Sequence, residues 1–213
     1  MKLYISSSQI KQKALEFGFH KVGIASANKL SSEINRLQKW LNKGYQADLE
    51  WMANPKRQDL KKVMPEVKSV ICVALNYYTP HEHSESSEIG KISRYGWGRD
   101  YHKVMHKKLK SLVNWLQEQD QEILARYYVD TGPIMEKPLA EQAGVGWIAK
   151  NGNLITREYG SWVFLGEVLT NLELTNDRPH TEHCGSCTRC LEACPTNAIV
   201  ESFVIDANLC IAY

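Results

Sequence analysis

The stretch Cys184-Gly-Ser-Cys187-Thr-Arg-Cys190-Leu-Glu-Ala-Cys194-Pro195 decides how the C-terminal part of this chain is read. Its spacing is C-x2-C-x2-C-x3-C-P. In that spacing three thiolates close on one face of an iron–sulfur cube. The fourth, set apart by an extra residue and followed by proline, turns toward a second cube. Pairs of the C-x2-C type also ligate zinc. A third cysteine at the same spacing, together with the Cys-Pro step, fits a cube better than a tetrahedral ion. Ala198 and Ile199 supply the short apolar packing such a loop requires, and Cys210 stands where ligation of the second cube begins. Two cubes of four thiolates each need more cysteines than the six present. Cys184, Cys187 and Cys190 serve one cube, and Cys194 and Cys210 the other. Cys72 sits far upstream in an apolar run and reads as core.

Working back from the cysteines, residues 174 to 182 are polar with one proline and read as a linker. Upstream, helical and strand patterns alternate. Ser6-Ser7-Ser8 caps a helix with Ile10, Ala14 and Phe17 on its apolar face and Gly18 at its end. A second helix opens at Ser31 or Ser32 and stops at Gly44. A third opens at Asp100 and carries Tyr101, Val104, Met105, Leu112, Val113 and Leu116. Strands are expected at 21–25, 69–75, 124–129, 147–155 and 162–169, with Pro133 at the first position of a further helix. Helices alternating with buried strands argue for an α/β layer structure. The expected organisation is an α/β domain over residues 1–173 and a partial ferredoxin-like iron–sulfur domain over 174–213. Because the chain stops at Ile-Ala-Tyr213, inside that unit, a C-terminally shortened form is expected.

The net charge of +2 over 213 residues suggests no strongly charged partner. Clustered cysteines fit a reducing compartment better than a disulfide framework. The start, Met1-Lys-Leu-Tyr-Ile, has no apolar signal core, and no apolar run is long enough to span a bilayer. A cytoplasmic protein without a membrane segment is expected.

Three further constellations carry chemistry. Arg94-Tyr-Gly-Trp-Gly-Arg-Asp-Tyr-His102 reads as a glycine-punctuated turn into a helix, or as a nucleotide or cofactor rim. Tyr127-Tyr-Val-Asp130-Thr-Gly-Pro-Ile-Met-Glu-Lys137 places an aspartate at a strand end, where open α/β sheets bind ligands; an N-cap is the competing reading. In Gly144-Val-Gly-Trp-Ile-Ala-Lys-Asn-Gly-Asn153 the glycine spacing is too loose for a dinucleotide fingerprint. Its small residues still let backbone approach a flat ligand closely.

Together these segments resemble the epoxyqueuosine reductase family. The resemblance rests on Ser93 to His102, Val129 to Pro133 followed by Glu136-Lys137, Gly146 to Asn151, Gly160 to Glu167, and the cysteine run. Gly96, Ala149 and Val163 depart from the family pattern. The resemblance implies a base-off cobalamin in the α/β domain and two 4Fe-4S clusters that reduce its cobalt to a strongly nucleophilic state. It further implies a tRNA carrying epoxyqueuosine as substrate, queuosine as product, and a separate electron donor.

Removing an epoxide oxygen takes two electrons and protons, so an acid must meet the departing oxygen. By the resemblance Asp130 is that acid, and burial against the corrin and apolar walls would keep it protonated. By the same resemblance cobalamin contacts come from Arg57, Ser93, Tyr95, Asp130, Asn151 and Leu154, and cluster ligands from Cys184, Cys187, Cys190, Cys194 and Cys210. Read alone, Arg57 is equally a solvated charge. Family members continue into a second cysteine group and a helical-repeat domain that grips tRNA. Without these, the competing function is a corrinoid-binding electron-transfer protein that has no tRNA activity.

Overall fold

The structure, a computed structural model, describes residues 5–212. The readings made on Met1 to Tyr4 and on Tyr213 lie outside them. The elements in order are α1 (Ser7–Glu16), β1 (Lys21–Ser26), α2 (Ser31–Asn42), β2 (Ser69–Asn76), α3 (Tyr101–Gln119), β3 (Ala125–Tyr128) and α4 (Glu136–Gln142). They continue with β4 (Trp147–Ile148), β5 (Leu154–Ile155), β6 (Val163–Thr170), α5 (Arg189–Glu192), β7 (Ile199–Glu201) and β8 (Val204–Ile205). Short 3-10 turns fill the chain between α2 and β2 and precede α3.

The expected α/β layering is present. A four-stranded sheet of order β1-β2-β6-β3 is covered on both faces. On one face Ile71, Val73 and Val168 pack with Ile10 of α1 and Met105, Leu109, Leu112 and Leu116 of α3. On the other, Val70, Cys72, Ala74 and Leu169 pack with Leu139 and Ala140 of α4 and with Leu60, Val63 and Met64. Alternation along β2 sends successive side chains to opposite layers, which is why that strand is apolar nearly throughout. Cys72 is core, as its surroundings suggested.

Local chemistry sets the helix starts. Ser6 accepts the Gln9 N–H while the Gln9 side chain accepts the Ser6 N–H, a capping box. Asp100 accepts the His102 N–H at the head of α3.

Three expectations need correction. Every neighbouring pair in the sheet is antiparallel, so the open parallel-sheet argument for a ligand at Asp130 does not apply. Pro133 does not begin a helix. Asp130 takes a left-handed backbone, φ +57°, which diverts the chain, and α4 begins only at Glu136. The strand expected over 147–155 is a hairpin of two-residue strands, because the Gly152 N–H turns back to the Ala149 carbonyl with φ +72°.

The stretch read as a linker is bonded along its length. Asp177 takes the Ile24 N–H on its carboxylate, donates its own N–H to the Ile24 carbonyl and pairs with Lys11 at 2.7 Å. The His180 N–H reaches the Glu141 carbonyl. Beyond the cysteine run, Trp40 donates its indole N–H to Ile205 and Asn208 reaches the Gly44 carbonyl, which fastens the C-terminal segment to α2.

At Gly23 in β1 an added Cβ would overlap the backbone carbonyl of Ala143 at the end of α4. Backbone cannot swing aside as a side chain can. Gly23→Ala is expected to cost about 1–3 kcal/mol or more, read as a lowered urea midpoint with unchanged slope.

Candidate functional site

The C-terminal ends of β2 and β3 and the start of β6 lie at one end of the sheet. Aromatic side chains continue that end outward. Tyr77 stacks on Phe164 at 4.3 Å, Phe164 on Tyr101 at 4.3 Å, and Tyr101 on His102 at 4.0 Å. Trp162 meets Tyr77 and Tyr78, and the Arg94 guanidinium lies over Tyr78, Trp97 and Trp162. Asp130 stands where this row ends. The Tyr101 hydroxyl donates to its Oδ2 at 2.6 Å, and His102 Nε2 is 3.6 Å from the same oxygen.

The Asp130 turn is held from three sides. Besides the Tyr101 bond, the Asp130 N–H donates to Glu136 Oε1 at 2.5 Å, and Arg57 donates to the carbonyls of Ile134 at 2.9 Å and Gly132 at 3.3 Å. Gly132 lies so close to the Tyr128 ring that a Cβ would strike it. Arg57 is stacked on Trp51 at 4.4 Å. It is therefore not a free solvated charge: its guanidinium is bonded to the turn.

Behind Glu136 lies Glu167. It sits in β6 opposite Cys72 on the α4 face of the sheet, between Leu165 and Leu169, and is 0 % exposed. Among the described residues neither of its oxygens has a hydrogen-bond partner; the charged group that acts on it is the Glu136 carboxyl. Burial pushes the Glu167 carboxyl well above the usual carboxylate range, and the charge of Glu136 adds to this. Burial likewise raises Glu136 to about 7, against the lowering effect of the Asp130 N–H. Burial, then the bond to Asp130, pushes up the Tyr101 hydroxyl.

The remaining expected site residues fall into three groups. Ser93 and Tyr95 are exposed on the loop before α3; Tyr95 is 56 % exposed and Ile92 beside it 68 %. Asn151 lies in the β4–β5 turn, whose Gly152 carbonyl accepts from Lys137 of α4, so this turn and the Asp130 turn flank the same helix start. Leu154 is 4 % exposed and packs in the core, apart from the surface residues. The Asp130 side chain is 60 % exposed, so protein walls alone do not desolvate it.

An exposed aromatic and apolar rim fits the broad flat face of a corrin. The cysteines are free thiols. Among the described residues no three His, Cys, Asp or Glu side chains gather closely enough to hold a metal ion. The donor chemistry nevertheless suits thiolate ligation. The backbone N–H groups of Ile199, Thr196 and Ala198 converge on Cys194 and hold its thiol below the usual range. Lys150, next to Asn151, donates to the carbonyls of Gly185 and Cys187 inside the cysteine run.

The family model described as epoxyqueuosine reductase QueG, DUF1730 matches residues 57–131, and that of a 4Fe-4S double cluster binding domain matches 183–213. An epoxyqueuosine reductase from Synechocystis sp. is 60 % identical over 194 residues, 90 % of this chain and 67 % of that protein. The chain belongs to the epoxyqueuosine reductase family. The structure of a reductase with an epoxyqueuosine-modified tRNA-Tyr stem loop aligns with TM-score 0.83 at 34 % identity, over 96 % of this chain and 55 % of the other. A Bacillus subtilis epoxyqueuosine reductase, whose catalytic loop is swung out of the active site, aligns with TM-score 0.85 at 33 % identity, over 96 % and 55 %. The chain thus spans about two thirds of the Synechocystis relative and just over half of these solved chains.

Sequence reasoning passed over Tyr101 and Glu136 as parts of the site, the bonding of Arg57, and Glu167. The last had a readable signal: a carboxylate at a core-facing position of the apolar run Val163 to Thr170, flanked two residues away by Leu165 and Leu169.

Since the native Glu136 and Glu167 carboxyls bind protons above the ordinary carboxylate value of 4.5, the folded chain holds more protons than the unfolded one from there to at least about 7. The pair's contribution to unfolding free energy therefore falls as pH rises through that window. Glu167→Gln is expected to gain stability relative to the unsubstituted chain between about pH 5 and about pH 8. Urea melts across that range check it, and a constant difference would contradict the assignment.

Proposed function

We propose that this chain carries the cofactor-binding part of an enzyme that reduces epoxyqueuosine in tRNA to queuosine. The observation that carries the reading is the Asp130 turn, held at the end of an aromatic row and beside an exposed apolar rim. Bound cobalamin supplies a two-electron nucleophile for the epoxide, and 4Fe-4S clusters supply it with single electrons. Cys184, Cys187, Cys190, Cys194 and Cys210 are the ligands offered to the clusters. Ser93, Tyr95 and Asn151 border the corrin site, Arg57 acts on it through the turn, and Leu154 supports the β4–β5 turn from the core.

Asp130 holds the proton that meets the departing oxygen. Tyr101 engages Oδ2 and so fixes the carboxyl plane, leaving Oδ1 to present the proton. Overall, two electrons and two protons break the two C–O bonds, form the C=C bond and release water. The α/β domain over 1–173 serves the corrin and the segment over 174–213 the clusters. A tRNA substrate and free thiols support a cytoplasmic setting, and no helix among the described residues is long and apolar enough to cross a membrane. A separate electron donor closes the cycle.

The test is an anaerobic titration of cobalamin into the chain, followed by its visible spectrum, with turnover of an epoxyqueuosine stem loop by cluster-loaded protein. The base-off spectrum is expected at stoichiometric binding. Asp130→Asn should bind cobalamin equally and lose at least about 100-fold in turnover. Full turnover by Asp130→Asn would remove the acid role, and a folded chain that binds no cobalamin would remove the corrin site.

The α3 surface next to this site is basic. Lys103, Lys107 and Lys110 are exposed at helical spacing, and Arg99 and Lys108 line the same hollow. Phosphates of a stem loop whose modified base reaches Asp130 would meet this row. The double substitution Lys103→Glu and Lys107→Glu is expected to weaken stem-loop binding and to flatten its salt dependence by about two units of slope. An unchanged slope in filter-binding titrations would place the RNA elsewhere.

A further inference from the structure

We infer that Glu136 is the positioning residue that pins the Asp130 turn in its left-handed conformation. The inference rests on the reading of Asp130 as the proton donor.

Asp130 sits at φ +57°, a region that costs a non-glycine residue energy and that aspartate tolerates better than most. Something must hold it there. The Tyr101 bond grips only the side chain, which would let the backbone pivot, and Arg57 grips the far end of the turn at Gly132 and Ile134. Among the described residues, the bond to the backbone N–H of Asp130 itself comes from Glu136 Oε1. Glu136 opens α4, so its Cα is fixed by the packed helix.

Glu167 lies in the middle of β6, the strand paired on both sides, and is 0 % exposed with no donor among the described residues at either oxygen. An ordinary core position would carry leucine here, as the positions two before and two after do. A buried carboxyl without a partner costs stability. Glu136 accepts from the Asp130 N–H and is the charged group that acts on Glu167. The other charged and titratable groups bearing on the pair are Arg57, Lys137, Asp130, Tyr101 and Cys72. Arg57 and Lys137 offset the negative charge that a carboxylate at Glu136 brings.

Hydrogen exchange of the ligand-free chain tests this without any turnover. Glu136→Ala removes the acceptor and is expected to speed exchange of the amides in 130–134 about tenfold, with the core of β2 and β6 unchanged. Glu136→Gln keeps an amide oxygen at the same reach and is expected to stay within about threefold of the unsubstituted chain. Asp130→Asn keeps the backbone N–H, so its turn should exchange like the unsubstituted one even if turnover is lost. Unchanged exchange in a folded Glu136→Ala would overturn the inference, as would equal loosening by Ala and Gln. If the exchange pattern holds while Asp130→Asn keeps full turnover, the pinning stands and only the acid role falls.

Discussion

The eight-residue register between β2 and β6, from Ser69 opposite Thr170 to Asn76 opposite Val163, is the constraint on which the rest of the molecule depends. These strands are buried on both faces, so each helix finds its place by covering one of their two apolar sides. A slip of β6 by one residue would turn Leu165 and Leu169 toward α3 and bring Val168 under α4. It would also carry Glu167 out of reach of Glu136. The same register sets the aromatic row, because Tyr77 and Phe164 meet just where β2 leaves the sheet and β6 enters it. The site is thus an extension of the central pairing.

The Asp130 turn shows how the fold holds an unfavourable local geometry. The left-handed residue costs about 1 kcal/mol, and the chain between β3 and α4 has no helix or strand to offset it. The bonds from Tyr101, Glu136 and Arg57 come from α3, α4 and the 3-10 turn before β2, three elements already fixed by core packing. Each is a net gain of roughly 1 kcal/mol, somewhat more where a charge takes part. The balance is narrow. Narrow balance is what a turn needs if it is to deliver a proton and then open to let product leave.

Much of this was legible in sequence because it is written in local patterns. Strand apolarity over Ser69 to Leu75, the serine cap of α1 and the aspartate cap of α3 each depend on neighbours within a few residues. Asp130 was singled out as a candidate through a run of adjacent letters. What did not show was pairing direction and whatever depends on it. The antiparallel sheet, the unwound stretch from Asp130 to Met135 and the bonds of Arg57 to carbonyls some 75 residues away are set by tertiary contacts that no short window contains. Glu167 is intermediate. Its oddness was visible as a carboxylate among leucines, but the charge that acts on it lay 31 residues upstream, at a helix start.

The cysteine segment raises a different constraint. Electron transfer needs donor and acceptor held at a fixed separation, and a segment joined by a flexible linker would not provide it. Here the joining stretch is strapped to β1 through Asp177 and to α4 through Glu141. Lys150 reaches across to the carbonyls of Gly185 and Cys187, while its own carbonyl accepts from Phe203 beyond the run. Lys150 is next to Asn151 in the turn that Lys137 ties to α4. A continuous path of bonds therefore leads from the cysteine loops through the β4–β5 turn to the helix whose first residue holds Asp130. The turn joining the two functions is short, and its geometry is enforced by Gly152 at φ +72°. Whatever fixes the cysteine loops is thereby tied by these bonds to the β4–β5 turn and the start of α4.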